Sequence, residues 1–430
     1  MHPTSLKTFT LLCCLCLLCG IKVKAQKIIP VDSSKVETLR IDPSNAVGGV
    51  ASDFFTEINY VPLETTDESL FGSISKLVVT EDYYIILDHN THSILIFTKA
   101  GKFHAKIKST QGSGNNYIWS FSVNKWDKHI IFTKDGYKTL SYADYDGKVV
   151  KSVKLGKENE AKDELNTSEF HFISRDKSIS TGWYNTMDST DKNYKTYSKS
   201  LILYSNESHK VYAQGLPFKR QEADISDEII STGLGPVTAS GTDSVYFYAK
   251  AYVNTIYTIT PNTIKQSYKF IFPMFSSLPA DFVTNKEYNK KRFEYFQKHN
   301  DAIFCISNTF KSGDNLLFKA GTWGSSNKED NLIYNLKSGT LIAYKHISQD
   351  EKSFHLPICD DTGWTFSNTG LLACNDGTIY TSVSSLGMFK AYEAAAEQKP
   401  QYPQHLADYF KKGSRKDNPV ILTLKLKNEL

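Results

Sequence analysis

The acidic pair Asp360-Asp361 stands in the stretch HLPICDDTGW, with His355 before it and Trp364 after it. Adjacent carboxylates on a loop suit a hard cation or a group of ligand hydroxyls, because clustered oxygen acceptors bind both. The same pair also suits a solvated turn that caps the next strand. Trp119, Trp323 and Trp364 are the candidates for a stacking platform, since an indole face offers broad apolar area with oriented polarity. Packing between structural elements is the competing use of each. His89 and His92 flank Asn90-Thr91 beside Asp88, a weak spacing for a metal site. No HExxH, GxSxG, Walker or dinucleotide fingerprint occurs. The Gln111-Gly112-Ser113-Gly114 loop lacks the helix start that a phosphate cradle needs. Asp144-Tyr145-Asp146-Gly147 fails as a calcium loop, because Tyr142 and Val153 would fill its first and twelfth positions. No residue is therefore assigned a catalytic role. No cofactor is expected beyond a structural or axial divalent cation.

Composition narrows the class. The 430 residues carry 50 Lys and Arg against 46 Asp and Glu, a net +4 that excludes a strongly basic nucleic-acid binder. Three surplus cations, Lys7, Lys22 and Lys24, lie in the first 25 residues, so most of the excess belongs to that segment. It reads as a signal peptide: Lys7, an apolar run from Thr8 to Ile21, then the small-x-small end Val23-Lys24-Ala25. The run is short for a bilayer span of about 20 residues, and no later stretch approaches that length. The mature chain is expected to begin at Gln26, outside the cytoplasm, with no transmembrane span. Lipid attachment at Cys19 is disfavoured, because Leu17 and Leu18 precede it where a lipobox wants a small residue. Cys13, Cys14, Cys16 and Cys19 leave with the leader. Of the remaining Cys305, Cys359 and Cys374, a Cys359–Cys374 disulfide and three buried free thiols are both open.

The elements that would position these residues are strands. Phe and Tyr number 25 each against 4 Met, a bias that suits half-buried pleated surfaces. Short apolar runs recur between turn residues: residues 77–79, 83–88, 93–97 and 103–107 make a first set of four. A second runs through 121–123, 130–132, 139–142 and 148–150, with Asp146-Gly147 as a hairpin turn. Third (170–173, 201–204, 210–212), fourth (244–248, 255–259, 266–270) and fifth (303–306, 316–319, 332–336) sets follow with three runs each. A sixth starts at Thr365-Phe366 and continues through 370–373 and 378–381 to the C-terminal run 420–426. Four antiparallel strands are the size of a propeller blade. The surplus length is expected in loops near 158–169, 184–199 and 219–235 and in two helix-like insertions, 287–301 and 387–412. The fold expected is all-β: a six-bladed β-propeller over 54–430, its ring closed by N- and C-terminal strands, with short helical insertions. A lead-in over 26–53 precedes it.

The strings INYVPLETTDESLFGSISKL, DYYIILD, SILIFTKAGKFHAKI and QGSGNNY, with VNTIYTIT in mid-chain and DNPVILTLKLK at the end, resemble a secreted bacterial six-bladed β-propeller family akin to TolB-like and NHL-type propellers. The resemblance implies an extracytoplasmic protein of Gram-negative bacteria without established enzymatic activity, often found beside glycan-uptake systems. The reading taken is a non-enzymatic binding module for a glycan, a peptide or an envelope protein, with Asp360, Asp361, Trp364, Trp323 and Trp119 as candidate contacts. The alternative is a hydrolase or lyase with a metal or acidic site in the central funnel.

Overall fold

A computed structural model describes residues 27–109, 117–134, 139–154, 170–181, 199–206, 210–217, 237–323, 331–359 and 370–430. Residues 1–26, with Cys13, Cys14, Cys16 and Cys19, lie outside the described residues, and no described helix is long and apolar enough to cross a membrane. The chain begins with β1 (Lys27–Ile28), β2 (Val31–Asp32), β3 (Glu37–Arg40), β4 (Val47–Val50) and β5 (Phe55–Pro62). Six sheets follow around a central axis. Blade 1 is β6 (Lys76–Val79), β7 (Tyr83–Asp88), β8 (Ser93–Thr98) and β9 (Phe103–Ile107). Blade 2 is β10 (Phe121–Asn124), β11 (His129–Lys134), β12 (Thr139–Ala143) and β13 (Val149–Lys154). Blade 3 is β14 (Phe170–Phe172), β15 (Lys177–Thr181), β16 (Lys199–Ser205) and β17 (Lys210–Pro217). Blade 4 is β18 (Val237–Ala239), β19 (Tyr246–Ala249), β20 (Thr255–Ile259) and β21 (Ile264–Ile271). Blade 5 is β22 (Cys305–Ser312), β23 (Asn315–Gly321), β24 (Asn331–Asn335) and β25 (Leu341–Ser348). Blade 6 joins β26 (Ala373–Asn375), β27 (Thr378–Val383) and β28 (Val420–Leu426) to β5.

This is the six-bladed propeller expected from the sequence, with helices at Arg292–Lys298 and Gln404–Lys412 inside the two expected insertions and one at Ser385–Ala394 that starts two residues before the second. The middle strands β7 and β8 are buried almost throughout, which is why they read as unbroken apolar runs rather than alternation. The core is divided among the blade interfaces. Ile85, Ile96, Phe121 and Phe132 fill the space between blades 1 and 2, and Tyr84, Phe97, Tyr380 and Ile421 that between blades 6 and 1. In blades 1 to 4 the third and fourth strands share a bulge one to three pairs from their turn, at Ile96/Phe97, Tyr142/Ala143, Leu203/Tyr204 and Ile256/Tyr257. Such bulges increase the twist that a blade needs to fan outward.

Three blades gain a strand that the sequence reading lacked. They are β15, whose KSIST is largely polar; β18, only three residues long; and β25, which continues past the turn at Gly339. Blade 6 starts at β26, and Thr365-Phe366 lies outside the described residues. The lead-in is no loose tail. It runs along the outer edges of three blades as parallel strands: β1 on β17, β2 and β3 on β21, and β4 on β25. Ile29, Leu39 and Ile41 are its buried anchors.

The ring closes where β28 lies between β27 and β5, with Leu424 opposite Ile58. A buried asparagine locks the joint. The Asn418 amide Oδ1 accepts from Phe71 N (3.0 Å), and Nδ2 donates to the carbonyls of Glu64 (2.9 Å) and Ser69 (3.0 Å). Its backbone N–H donates to Thr65 Oγ1, and its carbonyl accepts from Ser385 Oγ. No shorter polar group spans these partners. Asn418→Ala is expected to lower unfolding free energy by about 2–4 kcal/mol, because it strands buried donors and acceptors at once. Chemical denaturation of the variant tests this; an unchanged midpoint would show that the network does not limit closure.

Candidate functional site

Each blade has an even number of strands, so every blade starts from the same end of the ring. The connections therefore sort by face. At one end are the short turns 80–82, 99–102, 125–128, 144–148, 173–176, 206–209, 240–245, 260–263, 313–314, 336–340 and 376–377. At the other end depart 63–75, 89–92, 108–120, 135–138, 155–169, 182–198, 218–236, 250–254, 272–304, 322–330, 349–372 and 384–419, which hold the long ones. Trp119 and Trp323 both belong to this long-loop face.

One turn reaches across the short-turn end of the axis. The blade 4 turn 240–245 bonds with three other blades: Asp243 pairs with Lys125 of blade 2, Ser240 O accepts from Lys311 N of blade 5, and Gly241 O accepts from Asp376 N of blade 6. Contacts to blades on both sides of the ring place this turn across the axis. Gly241 permits it. Its φ is +96°, and a Cβ there would meet Lys311 O and Cys374 Sγ at 2.9 Å. Neighbouring blades are tied sideways by side chain–backbone bonds, among them Ser122 Oγ to Phe170 O, Tyr246 OH to Phe172 O and Ser312 Oγ to Gly377 O.

On the long-loop face, blades 1 and 2 carry an aromatic cluster. The buried Asp88 carboxylate accepts from Thr91 Oγ1 (2.7 Å), Thr91 N (3.1 Å) and Asn90 N (3.3 Å), which fixes the 89–92 connection. His92 takes a left-handed backbone, φ 48°. Ile118 is fully buried between the two blades, so its neighbours Tyr117 and Trp119 point outward, 43% and 51% exposed. His92 lies 4.1 Å from the Tyr117 ring and 4.9 Å from the Trp119 ring, and those two rings are 5.9 Å apart. His89 Nε2 sits 3.0 Å from Trp119 O. His92 Nδ1 is buried without a hydrogen-bond partner among the described residues. The result is a half-exposed aromatic surface held from below by a buried carboxylate and an isoleucine. Such a surface stacks on flat apolar faces while its edges offer polar atoms.

Trp323 belongs to a different structure. It packs edge-on to Phe293 (5.3 Å) and stacks on Phe296 (6.3 Å), within a cluster with Phe282, Phe304, Tyr252 and Tyr288. The buried Arg292 holds that insertion together, donating to Phe282 O (3.1 Å) and Asn289 Oδ1 (3.2 Å). Trp323 therefore serves packing, and no ring contact joins it to Trp119. Asp360, Asp361 and Trp364 lie outside the described residues; their connection, 349–372, departs from the long-loop face. Tyr117, His89 and His92 join Trp119, which stands exposed among the described candidates. The sequence marks His89 and His92 only as weak metal ligands, although the 117–119 alternation around an isoleucine is readable in it. Among the described residues no group of three or more His, Cys, Asp and Glu side chains converges.

Cys305, Cys359 and Cys374 stand as thiols in this structure, without a Cys359–Cys374 bond. Cys374 turns toward blade 5, donating to Lys311 O at 3.8 Å, whereas Cys359 packs into the apolar core of blades 5 and 6. Burial pushes the Cys305 and Cys374 thiols up to about 12, so neither supplies a thiolate near neutrality.

With the site described, comparison adds the family. A family model described as "Domain of unknown function (DUF4934)" matches residues 38–425. The chain belongs to this family. A crystal structure of a presumptive exported protein from Bacteroides fragilis NCTC 9343 has 14% identity and a TM-score of 0.61, covering 91% of this chain and 100% of its own. A DUF4221-family member from Bacteroides vulgatus ATCC 8482 has 10% identity and a TM-score of 0.45, covering 87% of this chain and 98% of its own. At these identities the likeness concerns the fold alone. No curated protein matches the chain.

His171, on innermost strand β14, has the Tyr246 ring at 5.4 Å. Burial lowers its imidazole to about 3, and the Lys76 charge adds to the shift. Folding thus favours the neutral ring against an unfolded value near 6.5. Above about pH 6.5 the group costs nothing. As pH falls toward about 3, only the unfolded chain takes up the proton, and stability drops. Melting temperature should therefore decline less steeply from pH 7 to 4 in His171→Gln than in the parent. Parallel curves would clear His171 of this role.

Proposed function

We propose that this chain is an exported, non-enzymatic binding module that takes a glycan on its long-loop face, over Tyr117, Trp119 and His92. The observation that carries the reading is the half-exposed aromatic cluster on a rigid base, on the face where the long connections gather. Two large aromatic rings left in water contribute little to folding, while a pyranose face would cover them. Export is supported by the leader pattern of residues 1–25 and by the exported description of the Bacteroides fragilis relative. The resemblance to secreted TolB-like and NHL-type propellers found beside glycan-uptake systems favours a sugar over a peptide. Asp360, Asp361 and Trp364 are proposed as further contacts on the sequence reading of their acidic and indole chemistry.

A glycan array probed with the chain from Gln26 onward tests this. Tyr117→Ala and Trp119→Ala should each weaken the leading hit about tenfold or more, with melting temperature held within a few degrees. Asp361→Ala should weaken it by a comparable factor. Undiminished binding by both aromatic variants, or an array without hits, would overturn the reading.

A further inference from the structure

Five of the six outer strands have a neighbour beyond them. The strap covers β17, β21 and β25 with parallel strands. Strand β9 is accompanied by residues 64–68: Glu64 N donates to Gly101 O, its carboxylate accepts from Phe103 N, and Glu68 O accepts from Lys106 Nζ. Strand β5 has the helix Gln404–Lys412 beside it, with His405 Nε2 3.0 Å from Tyr60 O. Strand β13 pairs with β12 alone, and among the described residues no backbone group bonds to its outer edge.

The chemistry of that edge is specific. Its sequence is VVKSVK, exposed at every residue but Val153. Val149 and Val150 are 39% and 50% exposed, so the edge offers apolar area as well as backbone donors and acceptors. Lys148, Lys151 and Lys154 give it positive charge, and the strand holds no acid. Of the two acids in the preceding turn, Asp146 is occupied by His104 at 2.7 Å. Lysines on an open edge oppose pairing with a second copy of the same edge, since like charges would face each other. The same charges favour an acidic strand.

We propose that β13 is a docking edge for an extended acidic segment of a partner protein, added to blade 2 as a fifth strand parallel to β13. The strap shows that outer strands of this ring accept a parallel fifth strand three times over, with main-chain bonds for affinity and side-chain contacts for choice. The edge lies outside the aromatic cluster, so the inference does not rest on the glycan reading.

The test uses the chain from Gln26 onward and two labelled eight-residue peptides, one alternating Val with Glu and one alternating Val with Lys. The Glu peptide should bind, weaken as salt rises, and slow amide hydrogen exchange across residues 149–154. The Lys peptide should not bind. Lys151→Glu with Lys154→Glu should weaken the Glu peptide about tenfold or more at unchanged melting temperature. The Tyr117→Ala, Trp119→Ala variant should bind it like the parent, which separates this edge from the long-loop face. Equal binding of both peptides, no protection at 149–154, or indifference to the lysine reversal would overturn the proposal. Protection of 149–154 that depends only on protein concentration would replace the acidic partner with a second copy.

Discussion

The fold depends on one pairing between the two ends of the chain, β28 against β5. A fan of blades without that joint would present two sheet faces to water. One would expose Tyr380 and Ile421, the other Tyr84 and Phe97, now packed together between blades 6 and 1. Closure buries both faces and removes the two free flanks of the fan. Its entropic cost grows only with the logarithm of the loop, by about 0.6 kcal/mol per doubling of length, so a joint spanning nearly the whole chain is sustainable. The polar lock at Asn418 adds specificity to that apolar gain. An amide that must satisfy Phe71, Glu64 and Ser69 together fixes one seating of blade 6 against the segment that leads into blade 1.

The strap extends the same logic to the rim. Residues 27–50 form few contacts among themselves and would not be ordered alone. They are held because β17, β21 and β25 present open backbone edges and because Ile29, Leu39 and Ile41 drop into the interfaces between blades. In return, four consecutive blades are joined by chain that reaches β5 and the closure itself. Asp350 links the end of the strap to the blade 5–6 connection by accepting from Ser52 N at 2.9 Å. Blade 2 has no such cover among the described residues, and this makes its outer strand chemically different from the others.

Strand parity and one glycine make the two faces of the ring different. Four strands per blade send every long connection to one face, whatever those connections contain. The blade 4 turn crosses the axis at the other face, and only a residue without Cβ, at positive φ, fits between Lys311 O and Cys374 Sγ. On the long-loop face Asp88 and Ile118 are buried supports, and Tyr117, Trp119 and His92 are the surface they hold up. The scaffold meets the cost of ordering the loop beforehand, which leaves the rings in place before any ligand arrives.

The sequence by itself determined the blade count, the closure by Phe55–Pro62 with Val420–Leu426, and the two helical insertions. Each of these is a local pattern: a short apolar run, a turn dipeptide or an amphipathic stretch, repeated along the chain. It did not determine the strap, because ETLR and VGGV become strands only when an outer edge is there to pair with them. Nor did it sort the tryptophans. Trp119 and Trp323 look alike in the sequence, and both leave from the long-loop face. One is supported by Ile118 and stands in water, while the other meets Phe293 and Phe296, which an insertion of about thirty residues folds back onto it. Whether an aromatic side chain binds or packs depends on what the rest of the chain brings to within van der Waals distance, and that is a property of three-dimensional contact, which spacing along the chain does not encode.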